Sequence, residues 1–275
     1  MPMPLIKKIL FPVDFSDSCV SAARYVEALA GRFEAEVRLF HVVGRGEHTL
    51  AEELLPQRQA QLNSFLAGEF KYFSTQRVCV MGDEPAPVIA DAAQRWGADL
   101  VMMPTHGLGV FQRLFLGSVT AKVLSGVDCP VWTSVHAEAA PRLEDIHCSR
   151  ILCALDLTER SPNVLAWAGA LAAECDASLG IVHATAPMPP ADIPVGLDEE
   201  LTESVSKQAR SEIDNLQKTA GTAAQVFIDS GDPASVVASA AKDFDADLLI
   251  IGRHESGHQD AYAVIRNSPC PVISI

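Results

Sequence analysis

Two segments of the chain carry residues suited to holding a phosphate group. The first is Pro104-Thr105-His106-Gly107, followed after nine residues by Gly117-Ser118 at the start of a helix-like apolar pattern. The second is Gly252-Arg253-His254-Glu255, and its matching helix starts at about Asp260. A glycine loop that leads into a helix presents free backbone N–H groups at the positive end of the helix dipole, which binds phosphate. The spacing therefore indicates an anion site that is complete only in the first segment.

The secondary structure that would position these segments is predicted by apolar runs that alternate with helical patterns along the chain. Uniformly apolar runs indicate strands buried on both faces, as in a parallel sheet. In the first half, strands are predicted over residues 6–13, 36–43, 76–81, 100–103 and 131–135. The intervening helices include residues 52–70 and 86–96. The order predicts an α/β fold with an open parallel five-stranded sheet and helices on both faces.

The candidate ligand-binding residues follow these strands. In open parallel sheets, ligands lie beyond the carboxyl ends of the strands, near the point where the strand order reverses. Asp14, Val42 and the turn at residues 104–107 all lie at predicted strand ends. We therefore expect them to line one crevice.

The whole α/β unit is repeated along the chain. Residues 9–14 and 41 match residues 151–156 and 183 at the same offset of 142. Gly82-Asp83, Ala98-Asp99-Leu100 and Cys129-Pro130-Val131 also recur in order, as Gly231-Asp232, Ala246-Asp247-Leu248 and Cys270-Pro271-Val272. Landmarks that recur in one order indicate duplication of a whole domain. The predicted domains are residues 1–137 and 147–275.

The composition narrows the class of protein. With 48% hydrophobic and 20% charged residues, the chain suits a globular α/β protein, and its net charge of -14 argues against nucleic-acid or anionic-membrane partners. It has neither a run of about 20 apolar residues nor a signal-peptide pattern, so we expect a cytoplasmic protein. Seven scattered cysteines without a C-x-x-C pair indicate buried thiols in a reducing compartment.

Several motifs together resemble the universal stress protein family in its tandem-domain form. They are Phe11-Pro12-Val13-Asp14-Phe15-Ser16, Phe40-His41-Val42-Val43, Leu116-Gly117-Ser118-Val119, Asp128-Cys129-Pro130-Val131 and Cys270-Pro271-Val272. The likeness covers nearly the whole chain. It implies two tandem sheets of the adenine-nucleotide alpha-hydrolase-like fold. Nucleotide-binding members carry G-x-x-G, nine residues and G-[S/T], and here Pro104 replaces the first glycine.

The resemblance also implies a site for ATP, with Mg²⁺ or Mn²⁺ bound through the phosphates. Pro12, Val13 and Asp14 would border the adenosine, and the backbone of Val42 would read the adenine edge. The residues that would flank the ribose and phosphates are Met103, Pro104, His106 and Gly107, and those that would close on the distal phosphates are Gly117, Ser118, Val119 and Thr120. Two of these residues have simpler interpretations, since Ser118 could cap a helix and Asp14 could be a strand-to-helix turn residue.

The second half departs further from the family pattern. His258 and Gln259 stand where the first half has Gly117 and Ser118, and two residues instead of nine precede them. Glu255 places a carboxylate where Gly107 would face phosphate, and like charges repel. We predict a folded second domain without a triphosphate site.

Three functions remain open from the sequence. The leading hypothesis is a stress-response regulatory protein that binds ATP or another adenine nucleotide in its first domain, with a structural or partner-binding second domain. A slow ATPase or adenylyl-transfer enzyme is an alternative, but no nucleophile–base pair or Walker-type motif supports it, so no catalytic or metal-binding residues are predicted. A ligand-free dimerising scaffold is the third. The last strands of the two domains, residues 131–135 and 272–275, could pair as a pseudo-dimer, and two chains could form a homodimer.

Overall fold

The chain forms two compact units in the computed structural model, one within Pro4–His147 and one within Cys148–Ile275. They are called the first and the second unit below. The structure describes residues 6–44, 51–105, 116–134, 142–186, 197–253 and 258–275.

The first unit is a five-stranded parallel sheet with helices between its strands. The strands lie in the order β3-β2-β1-β4-β5, so the strand order reverses between β1 and β4. In chain order the elements are β1 (Lys8–Pro12), α1 (Asp17–Phe33), β2 (Glu36–Val43), α2 (Ala51–Ser64), β3 (Thr75–Met81), α3 (Pro85–Trp96), β4 (Leu100–Met102), α4 (Ser118–Gly126), β5 (Val131–Thr133) and a short 3₁₀ helix (Leu143–Asp145).

The central strands of this sheet are apolar on both faces, as the sequence predicts. Ile9, Leu10 and Phe11 of β1 are fully buried. Consecutive strand residues point to opposite faces, so burial of all three requires cover on both sides of the sheet. This cover confirms the predicted α/β class with a parallel sheet.

The helix predicted over residues 52–70 is too long. The helix α2 ends at Ser64, and Leu66 has a positive φ of 51°. The side chain of Arg77 on β3 donates hydrogen bonds to the carbonyl oxygens of Leu62 and Leu66, at 3.1 and 3.2 Å. A side chain distant in sequence thus satisfies carbonyl groups at the end of the helix, which local periodicity does not reveal.

The second unit repeats the architecture of the first. Its strands lie in the order β10-β9-β6-β7-β8, again all parallel. The elements are β6 (Arg150–Ala154), α5 (Ser161–Cys175), β7 (Ser178–Thr185), α6 (Leu197–Ala220), β8 (Gln225–Ser230), α7 (Pro233–Asp243), β9 (Leu248–Ile251), α8 (His258–Asn267) and β10 (Val272–Ser274). The duplication that the sequence indicates is therefore a duplication of the fold.

The helix α6 is the longest described helix and carries many charges. Glu203 and Lys207, four residues apart on it, form an exposed ion pair with a 2.7 Å separation. Such pairs support a helix face that is in contact with water. Among the helices that the structure describes, none is both long and apolar enough to cross a membrane.

Candidate functional site

The carboxyl ends of β1 and β2 are joined by hydrogen bonds in the first unit. The backbone N–H of Val13 donates to the carbonyl oxygen of Phe40 at 2.9 Å. Pro12 and Val13 are buried, whereas Asp14 and Val42 are half-buried. Because these strands are parallel neighbours, the four predicted adenosine-side residues Pro12, Val13, Asp14 and Val42 lie at the same edge of the sheet.

Asp14 organises the turn between β1 and α1. Its Oδ1 accepts hydrogen bonds from the backbone N–H of Ser16 at 3.0 Å and from the thiol of Cys19 at 3.1 Å. Ser16 in turn caps the helix by accepting from the N–H of Cys19. Burial and the nearby Asp14 raise the pKa of Cys19 to about 12, so this thiol is protonated at neutral pH. The turn interpretation of Asp14 is therefore correct, whether or not a ligand also contacts it.

His41 is a central residue of this edge that the site prediction omitted. Its Nδ1 lies 2.7 Å from the carbonyl oxygen of Val13, and because a carbonyl only accepts, Nδ1 carries the proton. The ring packs 4.4 Å from the ring of Phe15, which has a positive φ of 65°. Burial lowers the pKa of His41, and the hydrogen bond to Val13 opposes that shift. The sequence did contain a signal that could have identified His41, because this residue recurs in the second half as His183.

Gly82 lets the chain pack closely against Val42. A Cβ at Gly82 would lie 2.7 Å from a methyl of Val88 and 3.0 Å from a methyl of Val42. The backbone N–H of Gly82 also donates to the carbonyl oxygen of Val43 at 3.0 Å. Together these contacts fix the end of β2, where Val42 lies.

Hydrogen bonds hold the start of α4 beside the carboxyl end of β4. The backbone N–H of Gly117 donates to the carbonyl oxygen of Thr105 at 2.9 Å, and the hydroxyl of Thr120 donates to the carbonyl oxygen of Pro104 at 3.1 Å. Thr105 is anchored in turn, since its N–H and hydroxyl both donate to the carbonyl oxygen of Ser134. The predicted residues Met103, Pro104, Gly117 and Thr120 are thus brought together.

Gly117, and not Ser118, is the N-cap of α4. The helix has no side-chain cap within the described part of the chain, and Ser118 is an exposed first helical residue. The capping interpretation of Ser118 is therefore wrong. The backbone N–H groups of Ser118, Val119 and Thr120, in the first helical turn, lack acceptors within the helix. The predicted residues His106 and Gly107 lie outside the described residues.

The second unit keeps the hydrogen bonds of the strand ends. The N–H of Leu155 donates to the carbonyl oxygen of Val182 at 2.9 Å, and Nδ1 of His183 lies 2.8 Å from the carbonyl oxygen of Leu155. Asp156 accepts from the N–H of Thr158 and the hydroxyl of Ser161, at 3.1 and 3.0 Å. The hydrogen bonds that join the ends of β1 and β2 in the first unit therefore have counterparts at the ends of β6 and β7.

The helix side of the second unit differs from that of the first. The helix α8 begins at His258 and carries Asp260 in its first turn, whereas the first turn of α4 has no acidic residue. Glu255 lies outside the described residues. The absence of a triphosphate site in this unit stays a prediction.

Comparison with known proteins gives two matches to one family. The model of the universal stress protein family matches residues 5–134 and 148–275. A universal stress protein of Methanocaldococcus jannaschii is 31% identical over 137 residues, which cover 46% of this chain and 81% of that protein. One from Thermus aquaticus is 32% identical over 133 residues, covering 46% of this chain and 97% of its own length.

Solved structures share the two-unit fold. A universal stress protein from Archaeoglobus fulgidus superposes with a TM-score of 0.70 at 19% identity, covering 97% of this chain and 95% of its own. A Pseudomonas aeruginosa protein described as functionally unknown superposes with a TM-score of 0.67 at 17% identity. The match covers 98% of this chain and 92% of that protein's chain. At these identities the likeness supports the fold alone.

Proposed function

This chain belongs to the universal stress protein family, since the family model covers nearly all of it, and from that premise we propose that its first unit binds ATP or another adenine nucleotide. The protein would act as a regulatory component of the stress response, in which nucleotide occupancy changes a surface that partners recognise. The second unit would serve a structural or partner-binding role.

One observation carries the proposal. The start of α4 is fixed against the end of β4 by the bonds from Gly117 to Thr105 and from Thr120 to Pro104, at 2.9 and 3.1 Å. The N–H groups of the first helical turn, which lack acceptors within the helix, are therefore held in place at the sheet edge. Such groups, together with the helix dipole, favour phosphate oxygens.

The neighbouring strand ends supply the adenosine side of the proposed site. Val42, which is half-buried at the end of β2, offers apolar surface, and β1 lies between β2 and β4 in the sheet. The nucleoside would thus lie across the ends of β1 and β2, with its phosphates toward α4. The hydroxyl of Ser118 is exposed at the helix start and would be available to the distal phosphates or their metal ion.

Pro104 sets an upper limit on the expected affinity. Proline has no N–H, so any hydrogen bond that a glycine would donate from this position is lost. One hydrogen bond to a charged group is worth about 1.5–3 kcal/mol, which corresponds to a roughly ten- to hundredfold loss of affinity. A site with micromolar affinity for the nucleotide would lose part of that affinity and would still bind it.

Ligand-dependent unfolding tests the proposal. ATP at about 100 times its Kd, with Mg²⁺ or Mn²⁺, should stabilise the protein by about 2.7 kcal/mol. Gly117→Glu should abolish this stabilisation because it places a carboxylate at the helix start. The N-cap has a φ of -56° and a ψ of 141°, which a side chain tolerates, so this variant should fold.

His258→Glu is the matched control, because the repeat aligns His258 with Gly117 and α8 begins at His258. This variant should keep the stabilisation by ATP. Equal stabilisation of wild type and Gly117→Glu would refute the assignment of the phosphate site. No stabilisation of the wild type would refute nucleotide binding and favour a ligand-free scaffold.

A further inference from the structure

The first unit carries a groove on one face of its sheet, between β2, β3 and α3. Its volume is about 550 Å³, which lies within the usual range of about 300–1,000 Å³ for small-molecule sites. The apolar part of its lining includes Phe40, Val80, Val88 and Ala92. The described residues of the proposed nucleotide site are not among those that line it, so the groove is a separate feature of this unit.

The side chain of Arg38 on β2 is held in a fixed position in this groove. Its Nε and Nη2 donate to Oε1 of Gln76 at 2.9 and 2.6 Å, and its guanidinium lies 4.1 Å from the centre of the Trp96 ring. Gln76 donates in turn to Glu36, so the direct partner of Arg38 is a neutral amide. Burial lowers the pKa of Arg38, but an arginine stays protonated in proteins. Since two of its five N–H donors serve Gln76, the ordered guanidinium keeps both charge and donors for a ligand.

The second cation of the groove is Arg95 on α3. Its Nε lies 2.8 Å from Oδ1 of Asp91, one turn earlier, and the side chain of Arg95 is 80% exposed. Exposed ion pairs of this kind are weak, so a ligand can compete for the guanidinium. Two guanidinium groups and one carboxylate give the lining one net positive charge, in a chain whose net charge is -14. The groove therefore complements a ligand with a single negative charge.

The second unit does not carry these two charges at the corresponding positions. Gly180 stands where the first unit has Arg38, since the two residues are related by the offset of 142 and hold the same place in the sheet. Asp243 stands where it has Arg95, because each lies three residues before the repeated Ala-Asp-Leu segment. A Cβ at Gly180 would lie 3.2 Å from the ring of Phe244, so an aromatic ring fills the space beside that strand. The two guanidinium groups are therefore specific to the first unit and are not a property of the shared fold.

We propose that this groove binds a small amphipathic monocarboxylate. Its carboxylate would accept hydrogen bonds from the guanidinium of Arg38, and Arg95 would add to the positive field. Its apolar body would lie on Phe40, Val80 and Val88, where it is removed from water. The site does not depend on nucleotide binding, because it uses other residues of the first unit.

Phenylacetate, phenylacetamide and acetate separate the two parts of the proposed ligand. Phenylacetate carries a ring and a charge, phenylacetamide the ring without the charge, and acetate the charge without the ring. Each is titrated into the full chain without nucleotide, and binding is followed by the NMR signals of the Val80 and Val88 methyl groups, which line the groove. Phenylacetate should bind with a Kd of about 1 mM or below, and each of the other two should bind roughly tenfold more weakly. The proposal is overturned if phenylacetate leaves these signals unchanged at about 10 mM, or if phenylacetamide binds as tightly.

Variants of the two arginines test the role of charge. Arg38→Met keeps the apolar stem and should weaken phenylacetate roughly tenfold without changing phenylacetamide, whereas Arg38→Lys, which keeps the charge, should weaken it less. Arg95→Ser should also weaken phenylacetate, and it decides the test if Arg38→Met does not fold, because Arg95 is exposed.

Arg142→Ser is the matched control for Arg95→Ser. Arg142 is an exposed arginine in ion pairs with Glu144 and Asp145, and it does not line the groove. This variant removes the same charge and should leave the affinity for phenylacetate unchanged. Equal affinities of Arg95→Ser and Arg142→Ser for phenylacetate would overturn the assignment of the site to this groove.

Discussion

The hydroxyl of Thr120 joins α4 to the end of β4, and its removal should destabilise the first unit. Thr120 is only 3% exposed, and its hydroxyl donates to the carbonyl oxygen of Pro104 at 3.1 Å. Thr120→Val keeps the branched shape but leaves a buried acceptor without this donor. Loss of one partner in a buried hydrogen bond costs about 1–3 kcal/mol of the free energy of unfolding.

Urea unfolding followed by tryptophan fluorescence measures this cost. Trp132 is buried in the first unit, 1% exposed, and the signal reports on the unfolding of this unit once Trp167 of the second unit is replaced by Phe in all proteins compared. With a slope of about 2 kcal/mol per molar urea, a loss of 2 kcal/mol lowers the unfolding midpoint by about 1 M. Thr120→Ser is the matched control, since it keeps the hydroxyl and loses one methyl group, which costs about 0.8 kcal/mol.

The relative stability of the two variants decides whether the hydrogen bond of Thr120 holds α4 in place. We expect Thr120→Val to be less stable than Thr120→Ser. If Thr120→Val is as stable as the wild type while Thr120→Ser is destabilised, the methyl group matters and the hydrogen bond does not. The positioning of α4 by this bond, and with it the main support for the phosphate site, would then be refuted.

Two further predictions concern residues that tie strands together. Asp99 accepts hydrogen bonds through one oxygen from the backbone N–H groups of Lys7 and Lys8, both at 2.9 Å. Asp99→Ala should lower the free energy of unfolding by about 1–3 kcal/mol, and Asp99→Asn, which keeps an acceptor oxygen, by less; equal stability of all three proteins would contradict this. The imidazole of His41 should titrate by NMR with a midpoint below 6.5, because burial disfavours its charged form. Its contribution to stability is then present above pH 6.5 and lost as the pH falls through the lower folded pKa, whereas a midpoint at or above 6.5 would show that the bond to Val13 outweighs burial.

The architecture was predictable because its signals are local and repeated. The apolar run of β1, with Ile9, Leu10 and Phe11 fully buried, specifies a strand covered on both faces. The same run recurs at residues 151–154 as β6, so two weak local signals support each other. Duplication of the fold follows from such repeats without any knowledge of long-range contacts.

Other elements depended on contacts between residues distant in the chain. The end of α2 at Ser64 coincides with hydrogen bonds from Arg77 to the carbonyl oxygens of Leu62 and Leu66. The N-cap of α4 is Gly117, whose N–H is bound by Thr105, twelve residues earlier. The sequence alone therefore placed the end of α2 wrongly, and its alternative interpretation of Ser118 as a cap was wrong by one residue.

The amino-acid sequence by itself determined the α/β class, the tandem repeat and the strand ends at which Asp14 and Val42 lie. These properties follow from the periodicity of burial, which each strand and helix carries in its own residues. Only the tertiary structure decided that His41 binds the carbonyl oxygen of Val13, and that β2, β3 and α3 border a groove of about 550 Å³. Such features depend on distances between side chains from separate elements, and packing sets those distances only when the whole unit is folded.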